Sequence, residues 1–141
     1  MKKSTPKDRV LDAYAILAFL QGEASARRVE SLLKKADAGG LRLYVSMVNA
    51  GEVYYRLVKL GSEQIASDFV SDVGSGAFPL QIVSATDARV LAAARLKAAF
   101  PISFADAFAA ALGVEKAVPV VTGDPEFAAL AKAGTIIVDW L

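Results

Sequence analysis

A helix-length apolar segment that carries a single acid constrains this chain more than any other feature. Residues 104–112 read FADAFAAAL, and Asp106 is the only charged residue among them. A helix that is apolar on all sides is normally buried on all sides. An ionised carboxylate in such a helix needs hydrogen bonds, a cationic partner or a metal ion, because burying it without them costs far too much free energy. We therefore expect a core helix that holds a functional acid.

A strand that leads to a second acid follows this helix. Residues 118–121 are Val-Pro-Val-Val, and Thr122, Gly123 and Asp124 come directly after them. In open α/β sheets, ligands bind outside the carboxyl ends of the strands. Two acids that rigid elements direct to one place indicate a divalent cation site.

Short strands alternate with helices along the rest of the chain. The predicted strands are residues 9–11, 41–45, 80–83, 118–121 and 135–138. Predicted helices include residues 24–38, 62–73 and 125–132, and three others start at Ser46, at a Ser84–Asp87 capping box and at a Ser103–Asp106 capping box. This alternation predicts an α/β fold with a central, mostly parallel sheet of about five strands and helices on both faces. At 141 residues, we expect one domain over residues 1–141.

Composition excludes several classes of site and enzyme. The chain has no cysteine, so disulfides, zinc–thiolate sites and thiol nucleophiles are absent. It has no histidine, which excludes Ser-His-Asp triads, imidazole metal ligands and the commonest general base. No apolar stretch reaches the ~18 residues of a membrane span, and no signal peptide is recognisable, so we expect a cytoplasmic protein. The net charge of +1 neither requires nor excludes a nucleic-acid partner.

Three of the acids have both a structural and a functional interpretation. Asp12 follows the first strand and precedes a helix, so it is either an N-cap or a ligand. Asp124 precedes Pro125, and proline at the first helical position makes Asp124 a good N-cap as well. Asp106 is three residues after Ser103, which suits a capping box, but its apolar surroundings favour a functional role.

Glu52 is the fourth acid and has the weakest pattern. On a helical wheel it lies opposite the apolar stripe, and with Arg56 it forms an i,i+4 pair, as expected of a surface residue. Taken together, however, Asp12, Glu52, Asp106 and Asp124 all lie near one edge of the predicted sheet. Carboxylates gathered there would repel one another without a cation, and ligands that are all oxygen favour Mg²⁺ or Mn²⁺.

Four segments in this order resemble a known family. They are VLDAYAILAFLQGE, VSMVNAGEVYYRL, ISFADAFAAALG and VVTGDPEF. The chain resembles the PIN-domain ribonucleases over nearly its whole length, and among these the VapC toxins of toxin–antitoxin pairs. The resemblance implies a three-layer α/β/α PIN-like domain with strand order 3-2-1-4-5. It also implies RNA as the substrate and an antitoxin protein as a partner.

The resemblance also implies roles for individual residues. By position, Asp12, Glu52, Asp106 and Asp124 would be the metal-binding acids, and Thr122 would present a hydroxyl beside them. The chain departs from the family after Asp12, where many relatives have Thr or Ser and this sequence has Ala13-Tyr14. This departure puts the hydrogen bonding around Asp12 in question, although not the acid itself.

The types of residue in the chain restrict the mechanism that such an enzyme could use. Without histidine, a bound metal would have to activate water for in-line attack on a phosphodiester. Basic side chains would hold the RNA backbone, and each is also a candidate for an ordinary solvated surface. The candidates are Arg9, Arg56, Lys59, Arg95 and Lys97.

Other functions and the oligomeric state remain open at the level of sequence. A phosphatase with Asp12 as nucleophile would need a second acid at Tyr14, and a receiver domain would need an acidic pair and a lysine that are not evident. A non-enzymatic binding module, in which the acids are only caps, predicts no response to metal. A housekeeping RNA-processing nuclease is the alternative to a toxin. A surplus of apolar helix surface favours a homodimer. The residues of that surface are Tyr54, Tyr55, Leu57 and Val58.

Overall fold

Parallel strands form the centre of the fold. The structure is a computed structural model that describes residues 6–141. The strands in this range are β1 (Arg9–Leu11), β2 (Leu43–Ser46), β3 (Gln81–Val83), β4 (Val120–Thr122) and β5 (Val138–Trp140). They lie in the order β3-β2-β1-β4-β5, and each neighbouring pair is parallel. The predicted strand order 3-2-1-4-5 is therefore confirmed.

Helices connect the strands and cover both faces of the sheet. They are α1 (Ala13–Leu20), α2 (Arg27–Asp37), α3 (Met47–Lys59), α4 (Glu63–Ser75), α5 (Asp87–Ala99), α6 (Phe104–Lys116) and α7 (Ala128–Lys132). Two 3₁₀ turns, Ala24–Ala26 and Pro125–Phe127, precede α2 and α7. The segments 24–38 and 125–132, which were predicted as single helices, therefore each begin with a tighter turn.

Alternating side chains divide the core into two layers. Leu11 and Val121 face a cluster built with α1 to α4, whereas Val10 and Val120 face a cluster built with α5 to α7. This is the period-2 alternation of a strand that is buried on both sides. The expected three-layer α/β/α architecture is confirmed.

The central position of β1 determines where a ligand site can form. Val10 pairs with Tyr44 of β2 on one side and with Val120 of β4 on the other. The strand order reverses beside β1, which is the kind of switch point at which open α/β sheets bind ligands. Asp12 follows β1 directly, and Asp124 lies two residues beyond β4.

The observed strands differ from the predicted segments mainly at their starts. The segments 41–45, 118–121 and 135–138 begin at Leu43, Val120 and Val138 instead. The last strand was placed too early because Asp139 reads as a residue beyond a strand. In the structure Asp139 lies within β5 and accepts from Arg9 Nε at 3.0 Å and Arg28 Nη2 at 2.8 Å. Burial raises the pKa of Asp139, but the two arginines outweigh it and hold this pKa below its usual value.

The predicted Ser84–Asp87 capping box is wrong. Thr86 is the N-cap of α5 and accepts from the Arg89 N–H at 3.3 Å, so Asp87 becomes the first helical residue. The carbonyl of Ser84 accepts from the Arg89 guanidinium at 3.1 Å, and the same guanidinium is paired with Glu115. This long-range pairing holds Ser84 outside the helix, which local sequence could not indicate.

The apolar surface of α3 is smaller than its sequence indicated. Tyr54 and Tyr55 are exposed, as expected, and so is Met47. Leu57 is 1% exposed and belongs to the core, and Val58 is only partly exposed. Both were expected at the surface; α4 lies against α3 and covers Leu57 with the rest of that core layer.

The helices among residues 6–141 contain at most 13 residues each. None of them is long and apolar enough to cross a bilayer alone. Helices α5 and α6 meet the length and composition criteria only together, and they are bent by 112° where they join.

The middle of helix α6 is buried in the core. Its residues between Asp106 and Gly113 are nearly all buried, while Phe104 and Val114 near its ends are exposed. A Cβ added at Gly113 would lie 2.7 Å from Cγ2 of Val120. The glycine therefore allows α6 to approach β4 closely.

This close approach gives a prediction about stability. Gly113→Ala should destabilise the protein by about 1–3 kcal/mol, because the new methyl group overpacks the α6–β4 contact. Gly51→Ala is the matched control, since Gly51 also lies within a helix but has no atom within 4 Å of its added Cβ. That control should gain about 0.5–1 kcal/mol from helix propensity. Urea unfolding measures both, and equal effects would contradict the packing account.

Candidate metal centre

Acidic side chains line a cleft at the carboxyl edge of the sheet. The cleft has a volume of about 280 Å³ and lies beside the starts of α1 and α6, the second turn of α3 and the loop after β4. Its acidic lining residues are Glu52, Asp106, Asp124 and Glu126, and Tyr14 and Arg56 line it as well.

Asp12 lies beside this cleft and is 1% exposed. It is the N-cap of α1, since its Oδ1 accepts from the Ala15 N–H at 2.9 Å. Its other oxygen accepts a hydrogen bond from the hydroxyl of Thr122. The pKa of Asp12 is raised to about 7, mainly by burial, which these two hydrogen bonds only partly offset, and the charges of Asp124 and Glu52 add to the increase. The capping interpretation is thus correct, but it does not account for the cost of burying this acid.

Thr122 connects the first and last of the predicted acids. It is fully buried at the end of β4, where its hydroxyl donates to Asp12 and accepts from the Asp124 N–H at 3.0 Å. The residue after Asp12 is Ala13, which has no hydroxyl to offer. Thr122 therefore supplies, from another strand, the hydrogen bond at Asp12 that the local sequence left in question.

Glu52 is not the surface residue that its helical wheel predicted. Its side chain is 11% exposed, and although Oε2 pairs with Arg56 at 2.9 Å, Oε1 is buried without a hydrogen-bond partner among residues 6–141. The prediction failed because α3 packs against α6 as well as against its neighbours in the core. Asn49, one turn earlier, donates to the Ala105 carbonyl at 3.0 Å and so joins α3 to the start of α6.

Asp106 lies in the first turn of α6 and is 8% exposed. Ser103 is the N-cap, accepting from the Asp106 N–H at 3.1 Å, so half of the predicted capping box is present. The other half is wrong, because the Ser103 N–H donates to Glu126 at 3.3 Å instead. Burial raises the pKa of Asp106 well above its usual range, and a hydrogen bond with Glu126 and the charge of Asp124 raise it further.

Glu126 is an acid of the cleft that the sequence analysis did not single out. Asp124 caps the 3₁₀ turn, its Oδ1 accepting from the Glu126 N–H at 2.9 Å. This turn directs Glu126 back toward α6, so that carboxylate oxygens of Asp106, Asp124 and Glu126 all lie within 4.8 Å of one another. Hydrogen bonds with Asp106 and Ser103 lower the pKa of Glu126. The available signal was the Asp-Pro-Glu sequence, which places two acids on one tight turn.

The structure brings only some of the predicted basic residues near the cleft. Arg56 lines it, and the charge of Lys97 contributes to the lowered pKa of Glu126. Arg9 lies at the opposite, amino end of β1, is paired with Asp139 and does not line the cleft. Lys59 and Arg95 are exposed helix residues that do not line the cleft.

The donor atoms of the cleft fit a hard divalent cation. Three carboxylates approach one another closely, and the nearby Glu52 has a buried oxygen without a hydrogen-bond partner in the described range. Oxygen ligands of this kind suit Mg²⁺ or Mn²⁺ rather than a softer metal. A cation here would also relieve the repulsion and desolvation that raise the pKa values of Asp12 and Asp106.

Solved structures with the same fold include several VapC and VapBC proteins. VapBC2 from Rickettsia felis, bound to a DNA fragment from its promoter, matches with a TM-score of 0.71 and 14% identity, covering 95% of this chain and 98% of that one. VapC20 from Mycobacterium tuberculosis, a sarcin–ricin loop cleaving toxin, matches at 0.70 and 17%, covering 86% and 93%. VapBC-5 from the same organism, a toxin–antitoxin system, matches at 0.62 and 21%, covering 96% and 100%.

These low identities establish similarity of fold. No curated protein matches the sequence significantly. The sequence itself, however, matches the PIN domain over residues 9–133, which is most of the chain and includes the acids of the cleft. The chain therefore belongs to the PIN domain family.

Proposed function

We propose that this protein is an Mg²⁺- or Mn²⁺-dependent endoribonuclease and the toxin of a toxin–antitoxin pair. The observation that carries the proposal is the approach of the Asp106, Asp124 and Glu126 carboxylates to within 4.8 Å, at the switch point of a PIN-domain sheet. In this proposal Asp106, Asp124 and Glu52 hold the cation directly, and Asp12 belongs to the same metal site. Glu126 is a fifth acid of the site.

Each side chain has a defined task in the proposed reaction. A bound divalent cation would activate water and neutralise charge at the phosphodiester. Thr122 keeps Asp12 and the Asp124 backbone in a fixed relation through its two hydrogen bonds. Arg56 lies in the cleft beside Glu52, where its positive charge can face an RNA phosphate. No imidazole takes part, since the chain has no histidine.

An antitoxin partner and self-association extend the proposal. Among the solved structures with this fold are VapBC proteins, which supports an antitoxin as the partner. An apolar groove of about 730 Å³ between α3, α4 and β3 is lined by the exposed Met47, Tyr54 and Val70. We propose that a second copy of the chain covers this groove in a homodimer.

Replacing Asp106 tests the proposed chemistry. Asp106→Asn keeps the side-chain shape and the Ser103 cap, but it removes the charge that a cation needs. The variant should remain folded, lose at least about 100-fold in Mg²⁺- or Mn²⁺-dependent RNA cleavage, and lose toxicity when expressed without antitoxin. Asp87→Asn is the matched control, because Asp87 is an exposed acid in the first turn of α5, outside the cleft. A folded and fully active Asp106→Asn protein would disprove the site.

The raised pKa values predict how stability depends on pH and metal. The folded-state pKa of Asp12 is about 7, above its unfolded value near 3.9, so the folded protein alone retains that proton between these values. The stability contributed by this proton is present below about pH 4 and is lost as pH rises through about 7, by up to roughly 4 kcal/mol. Asp106, whose pKa is also raised, acts in the same direction.

Thermal unfolding measured at two pH values, with and without metal, checks this dependence of stability on protonation. Millimolar Mg²⁺ or Mn²⁺ should raise the melting temperature more at pH 8 than at pH 5, because at pH 5 the ligand carboxyls bind protons instead. Asp12→Asn should show a weaker pH dependence than the wild type without metal. An equal effect of metal at both pH values, or none at all, would favour the interpretation of the acids as caps in a non-catalytic binding module.

The exposed groove on α3 allows a test of the proposed homodimer. Tyr54→Lys should shift the protein from dimer to monomer, because a buried ammonium group without a partner strongly disfavours the interface. Light scattering at micromolar concentration measures the mass of both proteins. Lys59→Glu, on the last turn of the same helix but outside the groove, should leave the mass unchanged. A monomeric wild type would count against the homodimer.

A further inference from the structure

Tyr14 forms one wall of the acidic cleft. It is the second residue of α1, two positions after Asp12, and it lines the cleft together with Glu52, Asp106 and Asp124. The residue is 42% exposed, although it lies in the midst of otherwise buried residues of α1. The position of the ring therefore is not explained by core packing, in which an aromatic side chain would bury most of its surface.

The backbone of the loop after β4 supports the ring. A Cβ added at Gly123 would lie 2.4 Å from Cε1 and 2.8 Å from Cζ of Tyr14, which shows how closely the ring approaches this backbone. The backbone of Gly123 is outside the left-handed region, so its lack of a side chain serves this contact rather than a special turn. The Tyr14 ring thus lies against the backbone of Gly123, next to the acids.

The negative charge of the cleft limits the ways in which it can bind RNA. The carboxylates that would hold the cation also repel RNA phosphates, and within residues 6–141 Arg56 is the only basic residue that lines the cleft. Part of the substrate-binding energy must then come from contacts that do not depend on charge. Stacking of an unpaired base on an aromatic ring is such a contact, and because every base has a π-face it tolerates many sequences.

We infer that Tyr14 is a substrate-binding residue on which a nucleobase next to the scissile phosphate of single-stranded RNA stacks. The inference rests on the proposed ribonuclease activity and adds to it a residue that positions the substrate. Stacking requires a base that is not already stacked within a duplex, so the cut should fall in single-stranded RNA. The acids hold the reacting centre, and Tyr14 holds the neighbouring nucleotide.

Steady-state kinetics on a short, fluorescently labelled single-stranded RNA containing the site that the wild type cuts will test this inference. Tyr14→Phe and Tyr14→Trp keep an aromatic face and should retain KM within about threefold. Tyr14→Leu keeps an apolar contact with Gly123 but offers no aromatic face, and it should raise KM by roughly 5- to 150-fold. Trp140→Leu likewise removes an exposed aromatic ring, 46% exposed, at a residue that does not line the cleft. It should leave KM unchanged.

A second experiment, with modified RNA substrates, identifies the base that stacks on Tyr14. In RNAs that carry one abasic nucleotide at a time around the cut, removal of the stacked base should raise KM for the wild type. The same removal should have little further effect on Tyr14→Leu, because the contact is already lost. Equal losses at all positions, a Tyr14→Leu protein with the KM of the wild type, or a Tyr14→Phe protein as weak as Tyr14→Leu would each overturn the stacking role.

Metal binding separates this inference from the proposed function. Mn²⁺ affinity, measured by the rise in melting temperature, should be the same in the wild type and Tyr14→Leu, since Tyr14 is not an acid of the metal site. A wild type that neither binds Mn²⁺ nor cleaves RNA would refute the proposed function itself. A wild type that cleaves RNA, with a Tyr14→Leu variant that binds Mn²⁺ and keeps its KM, would refute the stacking role alone.

Discussion

The parallel pairing of β1 with β4 is the constraint on which the rest of the site depends. Because the two strands run in the same direction, Asp12 and Thr122 emerge at the same edge of the sheet and form a hydrogen bond across 110 residues of sequence. Thr122 in turn accepts from the Asp124 N–H, and Asp124 caps the turn that directs Glu126 toward α6. One strand pairing thus positions acids from two separate segments and directs one of them toward a third acid, Asp106, on α6.

The acids occupy places that are unfavourable for them in the folded protein. Burial raises the pKa of both Asp12 and Asp106, which means that the fold stabilises their neutral forms and opposes their charge. Such a cluster lowers the stability of the metal-free protein, and this is common where a site is preorganised for a ligand. The close packing of α6 against β4 at Gly113 helps to hold Asp106 in place nevertheless.

The local sequence pattern correctly predicted the hydrogen bonds that a side chain makes within its own helix. The N-caps Asp12, Ser46 and Ser103 were all predicted, and each accepts a hydrogen bond from its helix. The parallel sheet and its order were also expected, partly from alternation and partly from the family resemblance. Pattern failed for Glu52, because a helical wheel considers one covered face whereas α3 is covered by α6 as well.

The sequence by itself determined the chemistry that is available: carboxylates without histidine or cysteine, a core helix with one acid, and acids at strand ends. The tertiary structure alone decided which of these groups meet. It brought Glu126 into the cluster, paired Arg9 with Asp139, and placed the Tyr14 ring against Gly123. The physical reason is that each of these relations joins residues 20 or more positions apart, and such contacts depend on strand register and helix packing rather than on local periodicity.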